Sequence, residues 1–179
     1  MPDSSRKLIY NVATTLDGFI AGPGGALDLF VFEGDHVADY VATLRTYGAV
    51  IMGRSTYALG LDRGVTDPYP FLETYVVSRT MKHSPDPRVR VIAGDVAAFV
   101  RELKRAPGGD VYLCGGGDLA STLFADDLVD EVVVKLNPVL AGGGTPLVAQ
   151  LAAPQKLVLA STKVYQSGVI TLRYAVARS

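Results

Sequence analysis

Tryptophan is absent from the 179 residues, cysteine occurs once, at Cys114, and histidine only at His36 and His83. One cysteine cannot close an internal disulfide. Two histidines without a Cys-x-x-Cys or His-x-Glu pairing leave no tetrahedral ligand set, so no metal is expected. No stretch reaches membrane-spanning length, and residues 1–5 are polar, without the apolar run of a signal peptide. A soluble, cytoplasmic protein with a disordered first five residues is the expectation. Charge of either sign is also scarce in bulk, with 17 Lys and Arg against 18 Asp and Glu and a formal net charge of −1. Without a concentrated basic face the chain is not suited to a nucleic-acid backbone, and the expected partner is a small molecule.

What is present is apolar sequence in short runs. A hydrophobic fraction of 49% over this length supports one domain spanning residues 1–179. Val111 and Leu113 read as a buried strand that ends at Gly115-Gly116-Gly117, and Leu119, Leu123 and Phe124 then recur at helical spacing. Three glycines between a strand end and a helix start let an anion approach free backbone N–H groups at the positive end of the helix dipole. A nucleotide is the natural ligand.

Along the chain, Lys7 to Ala13 reads as the first strand, followed by a partly apolar loop through Gly22 and a break at Pro23-Gly24-Gly25. Val37, Tyr40, Val41 and Leu44 predict a helix capped by Asp35, with Gly48 just past its end. Ala49 to Met52 is a second strand, after which Ser55 or Thr56 is expected to cap a short helix. Residues 61–70 read as loop, Tyr75 to Val77 and Val89 to Ile92 as strands, and Val96 to Leu103 as a helix capped by Asp95. Glu131 to Leu136 is a strand, Asn137 to Thr145 a glycine-rich excursion, and residues 157–165 and 169–176 a hairpin turning at Gln166-Ser167-Gly168. Alternating elements followed by strands predict an α/β fold with a mixed sheet, antiparallel at its carboxyl-terminal edge.

In an open α/β sheet, ligands lie beyond the carboxyl ends of parallel strands. Three such ends carry Gly53-Arg54-Ser55-Thr56, Ser78-Arg79-Thr80 and Gly115-Gly116-Gly117-Asp118. Together they offer two guanidinium forks for a terminal phosphate or an adenine face, several hydroxyls, and a glycine cradle for a pyrophosphate. The Gly-x-Gly-x-x-Gly fingerprint is missing after the first strand, which argues against a Rossmann architecture.

Thr15-Leu16-Asp17-Gly18, Met52-Gly53-Arg54-Ser55-Thr56-Tyr57, Val77-Ser78-Arg79, Cys114-Gly115-Gly116-Gly117 and Asn137-Pro138-Val139-Leu140 with Gly142-Gly143-Gly144 occur in this order. Over nearly the whole chain this resembles the dihydrofolate reductase superfamily, and within it the carboxyl-terminal reductase domain of the bifunctional riboflavin-biosynthesis protein and its stand-alone relatives. The resemblance implies a dihydrofolate reductase-like mixed sheet of about eight strands flanked by helices. It implies NADPH as the cofactor, with Ala13 and Ile20 at the nicotinamide. Gly53, Arg54, Ser55, Thr56, Ser78 and Arg79 would lie at the adenosine 2′-phosphate end, and Gly115, Gly116, Gly117, Asp118 and Leu119 at the pyrophosphate. It also implies a homodimer, for which Val132-Val133-Val134 and Val169-Ile170-Thr171-Leu172 are candidate interface strands or ordinary core.

The activity implied is hydride transfer to a small heterocyclic or carbonyl-type substrate, with the 5-amino-6-(5-phosphoribosylamino)uracil reductase step as the nearest type. The deaminase half of the bifunctional protein is not encoded, because its zinc ligands are missing. Hydride transfer needs no protein nucleophile, and Asp17 and Asp35 are the candidate acids. Val37 stands where dihydrofolate reductases place their helix carboxylate, so Asp35 would act as a displaced acid if folate were the substrate. Asp17 reads equally as an Asx turn residue and Asp35 as a helix cap. A nucleotide-binding or oligomerising protein without catalysis is the remaining alternative. Cys114 reads as a small buried hydrophobe and His83 as an exposed loop residue.

Overall fold

The computed structural model describes residues 5–178; of the disorder expected at residues 1–5, all but Ser5 falls outside the described residues. Ten strands and four helices follow in the order β1 (Leu8–Thr14), β2 (Phe19–Ala21), α1 (Asp35–Leu44), β3 (Tyr47–Gly53), α2 (Arg54–Leu61), β4 (Glu73–Val77), β5 (Val89–Ile92), α3 (Val96–Arg105), β6 (Asp110–Gly115), α4 (Gly117–Ala125), β7 (Glu131–Leu136), β8 (Thr145–Pro146), β9 (Leu157–Val164) and β10 (Ile170–Val176). Eight of the strands form one sheet in the order β5-β4-β3-β6-β1-β7-β10-β9. From β5 to β7 the pairing is parallel, and β10 runs antiparallel to both β7 and β9.

Parallel strands covered on both faces need apolar side chains on both, which is why Ala49, Val50, Ile51 and Met52 are all buried without alternation. On one face α3 and α4 bring Val100, Leu103 and Leu123 against Leu8, Tyr10, Val111 and Leu113. On the other, α1 and α2 bring Leu44 and Tyr57 against Ile9, Val50, Met52 and Tyr112. The cap expected on α3 is present, with Asp95 Oδ1 accepting from the Ala98 N–H at 3.0 Å.

Other local expectations change. Gly34, with φ of 115°, caps α1, so Asp35 is its first residue. The positive φ suits glycine, and Asp35 instead sets its charge in the first turn, where the helix dipole favours it. Gly48 lies inside β3 and packs against Gly109. Gly53 is the N-cap of α2, without a side-chain cap from Ser55 or Thr56. The loop expected after the first strand contains β2, which pairs with β8 across more than a hundred residues of sequence. Val132, Val133, Val134 and Val169 are buried in the core, and Ile170, Thr171 and Leu172 are half-buried. The exposed strand is β9, where Leu157, Val158, Leu159 and Val164 stand open at the sheet edge. Among the described residues no helix is long and apolar enough to cross a membrane.

Candidate functional site

A cavity of about 1300 Å³ runs along the carboxyl ends of β4, β3, β6, β1 and β7 and under α1. Its first end is built where β3 and β4 stop. Arg54 opens α2, and its Nη1 donates to Thr80 Oγ1 at 2.8 Å. Ser78 is buried, and its Oγ accepts from the N–H groups of Thr80 and Met81 at 3.2 and 2.9 Å, folding the turn that carries the exposed Arg79. Two guanidinium groups thus face the cavity from neighbouring strand ends, with Ser55 and Thr56 beside them.

The middle is the start of α4. Gly116 is its N-cap and Gly117, Asp118 and Leu119 are its first residues, so the N–H groups of the first turn have no helical acceptor. The Gly115–Gly116 peptide is cis. A Cβ at Gly116 would meet nothing closer than Thr56 Oγ1 at 3.7 Å, so this peptide is open to a ligand. A Cβ at Gly117 would lie 2.6 Å from the Pro146 carbonyl, so the next residue is wedged against the β8 strand. Gly115 is buried and is not among the lining residues, whereas Ala13, Ile20, Gly53, Arg54, Ser55, Thr56, Ser78, Arg79, Gly116, Gly117, Asp118 and Leu119 all line this one cavity.

The far end lies over β1 and β7. Ala13 pairs with Lys135, and Asn11 and Lys135 project to the face covered by α1. Lys135 Nζ donates to Asn11 Oδ1 at 2.6 Å and sits 4.3 Å from the centroid of the Tyr40 ring. Burial lowers its pKa to about 8, because an ammonium deprived of water favours its neutral form. Tyr40 and Tyr112 share a hydroxyl contact at 3.1 Å, and Tyr69 reaches Cys114 Sγ at 3.5 Å. Burial raises the pKa of all three tyrosines, which keeps them neutral donors. The roof is apolar, with Phe30, Val31, Phe32, Val37 and Val41.

The two candidate acids are held elsewhere and do not line the cavity. Asp17 accepts from Thr15 Oγ1 at 2.6 Å, from the Ala141 N–H at 3.0 Å and from the Gly142 N–H at 2.7 Å. Those bonds, led by the Thr15 hydroxyl, hold its pKa at about 2 and make it a clasp between two loops. Asp35 accepts from the N–H groups of His36 and Gln166, tying α1 to the β9–β10 hairpin. His36 is buried at the cavity wall, with Nε2 2.9 Å from the Val31 carbonyl and Nδ1 3.1 Å from Ser167 Oγ. The first contact requires an N–H at Nε2, and the two contacts make the ring a brace between Val31 and Ser167.

Sequence reasoning did not single out Lys135, Asn11 or Tyr40. The available signal was a lysine inside the apolar run Val132-Val133-Val134-Lys135-Leu136, where a charge needs a local reason to be kept.

A Bacillus subtilis (strain 168) protein, YwjB, is 33% identical over 165 residues, covering 92% of this chain and 95% of its own length. A Shewanella sp. PV-4 protein ascribed to riboflavin biosynthesis superposes with a TM-score of 0.84 at 26% identity, covering 96% of this chain and 99% of that one. A dihydrofolate reductase of Enterococcus faecalis complexed with NADP(H) superposes with a TM-score of 0.71 at 14% identity, covering 96% and 97%, and shares the fold. The family model of the RibD C-terminal domain matches residues 6–171. With that match covering residues 6–171, the chain belongs to the RibD C-terminal domain family.

Proposed function

We propose that the protein is an NADPH-dependent reductase that delivers hydride to a small heterocyclic or carbonyl-type acceptor, in chemistry of the riboflavin-pathway reductase type. The observation that carries this reading is one continuous cavity joining two arginines, an open helix N-terminus and an apolar, lysine-floored end. Its volume of about 1300 Å³ exceeds that of drug-sized pockets, which reach roughly 1,000 Å³, so it has room for a dinucleotide and a second ring.

The residues fit the cofactor. Arg54 and Arg79 would hold the 2′-phosphate, and the open Gly116 peptide with the first-turn N–H groups of α4 would hold the pyrophosphate. Ala13 and Ile20 would pack against the nicotinamide. Bound there, the cofactor supplies the hydride. The chain's own part is to align the two rings and to keep water out with the Phe30 to Val41 roof. Family membership and the NADP(H) complex of the E. faecalis enzyme support the assignment.

Titration of the purified protein is expected to give NADPH a Kd at least about tenfold below that of NADH, the effect of one charge-assisted hydrogen bond. Equal affinities for the two would sink the cofactor assignment. A second copy of the chain is proposed to cover the exposed apolar residues of β9, and light scattering should read twice the chain mass. A monomer at micromolar concentration would rule that out.

A further inference from the structure

The acceptor end of the cavity differs chemically from the cofactor end. Phe30, Val31, Val37 and Val41 wall it, and Phe32 stands 64% exposed at its mouth. Among the described residues, the Lys and Arg side chains lining the cavity are Arg54, Arg79 and Lys135. Both arginines belong to the cofactor end, since β3 and β7 are separated by β6 and β1 in the sheet, about 14 Å at the usual strand spacing. Glu33 and Asp35, exposed beside Phe32 and His36, add negative charge near the mouth. A phosphate brought here would shed water against a single ammonium already bonded to Asn11, with no guanidinium fork to hold it, which is unfavourable.

We propose that the acceptor is a flat, uncharged, non-phosphorylated ring compound, and that Lys135 donates a hydrogen bond from Nζ to its carbonyl oxygen or imine nitrogen. The proposal rests on the reductase reading and narrows its substrate, setting aside the phosphoribosylaminouracil type. An ammonium has three protons, and Asn11 Oδ1 at 2.6 Å takes one. The Tyr40 ring, 4.3 Å away, offers its face to the cation and fixes the stem, leaving the remaining protons for the cavity. A bound nicotinamide cofactor would supply hydride, with its electron pair, to the acceptor carbon as the C=O or C=N π bond breaks. The oxygen or nitrogen takes a proton from Nζ, and the neutral amine recovers one from water. Asn11 from β1, Tyr40 from α1, and Tyr112 and Cys114 from β6 line the cavity around Lys135, and none of them is a carboxylate. Burial without a carboxylate lowers the pKa to about 8, so the ammonium is present at neutral pH and lost as pH rises through about 8.

The test is equilibrium binding of three probes, with and without NADP⁺: isatin, a ring ketone; indole, the same bicycle without carbonyls; and uridine 5′-monophosphate, a phosphorylated pyrimidine nucleotide. Isatin is expected to bind the parent at least about tenfold more tightly than either of the others. K135M should remove that advantage without changing the NADPH Kd. Isatin affinity should fall above about pH 8 in the parent and stay flat in K135M. N11D, which sets a carboxylate against Nζ, should move the midpoint upward and decides the matter even if K135M folds poorly. Unaltered isatin binding in K135M, tighter binding of uridine monophosphate than of isatin, or an unmoved midpoint in N11D each overturns the proposal. Failure of the parent to bind NADPH would remove the reductase reading, while isatin binding to the cofactor-free cavity would still decide the role of Lys135.

Discussion

Replacing Arg54 and Arg79 together by alanine is expected to raise the Kd for NADPH about a hundredfold while leaving that for NADH within about twofold. A hydrogen bond to a charged group contributes about 1.5–3 kcal/mol, and two at the low end amount to about 3 kcal/mol, or two decades. The low end is appropriate because both side chains are exposed and water competes for them. The geometry argues that the loss is specific. Arg54 is steered by its bond to Thr80 Oγ1, and Arg79 stands on the turn that Ser78 Oγ braces, so both reach the same end of the cavity. NADH lacks the 2′-phosphate and has nothing to lose there. Fluorescence titration of both nucleotides at two salt concentrations measures this, and the discrimination of the parent should shrink at the higher one as the charges are screened. A parallel loss of NADH affinity would mean that the arginines hold the turn and not the phosphate.

Leu123→Ala is expected to destabilise the protein by about 2–5 kcal/mol, the range for truncating a buried leucine. For a chain of this size that lowers Tm by roughly 5–20 °C. Leu123 is fully buried, in a cluster with Leu8, Tyr10, Val111 and Leu113, and it is a principal anchor of α4 on the sheet. The same helix presents the Gly116 to Leu119 cradle, so loosening it should also weaken NADPH binding at temperatures where the domain is still folded. The control is Leu123→Met, which keeps the volume and should cost less than about 1.5 kcal/mol. Thermal unfolding followed by circular dichroism checks both variants. A shift under about 2 °C for the alanine variant would show that α4 is held by other contacts.

The elements that local chemistry controls were legible in the residues. The apolar runs of β3 and β6, the helical spacing and Asp95 cap of α3, and the hairpin of β9 and β10 depend on neighbours a few positions away. The glycine junction at Gly115 to Gly117 was legible for the same reason, since it requires only a strand end followed by a helix start. Local caps were less secure, because Asp35 and Gly34 both suit the start of α1 and only the backbone path chose between them.

By itself the sequence determined an α/β chain with an antiparallel edge and three strand ends that carry glycine, arginine and hydroxyl residues. Tertiary structure alone decided which carboxylates and amines face the cavity. Asp17 is claimed by the N–H groups of Ala141 and Gly142, and Lys135 by Asn11, in each case across 124 or 125 positions of the chain. A side chain's protonation and availability depend on what burial and hydrogen bonding bring within a few ångströms of it. Sheet pairing between β1 and β7, and between β2 and β8, sets those neighbours, and no local pattern encodes them.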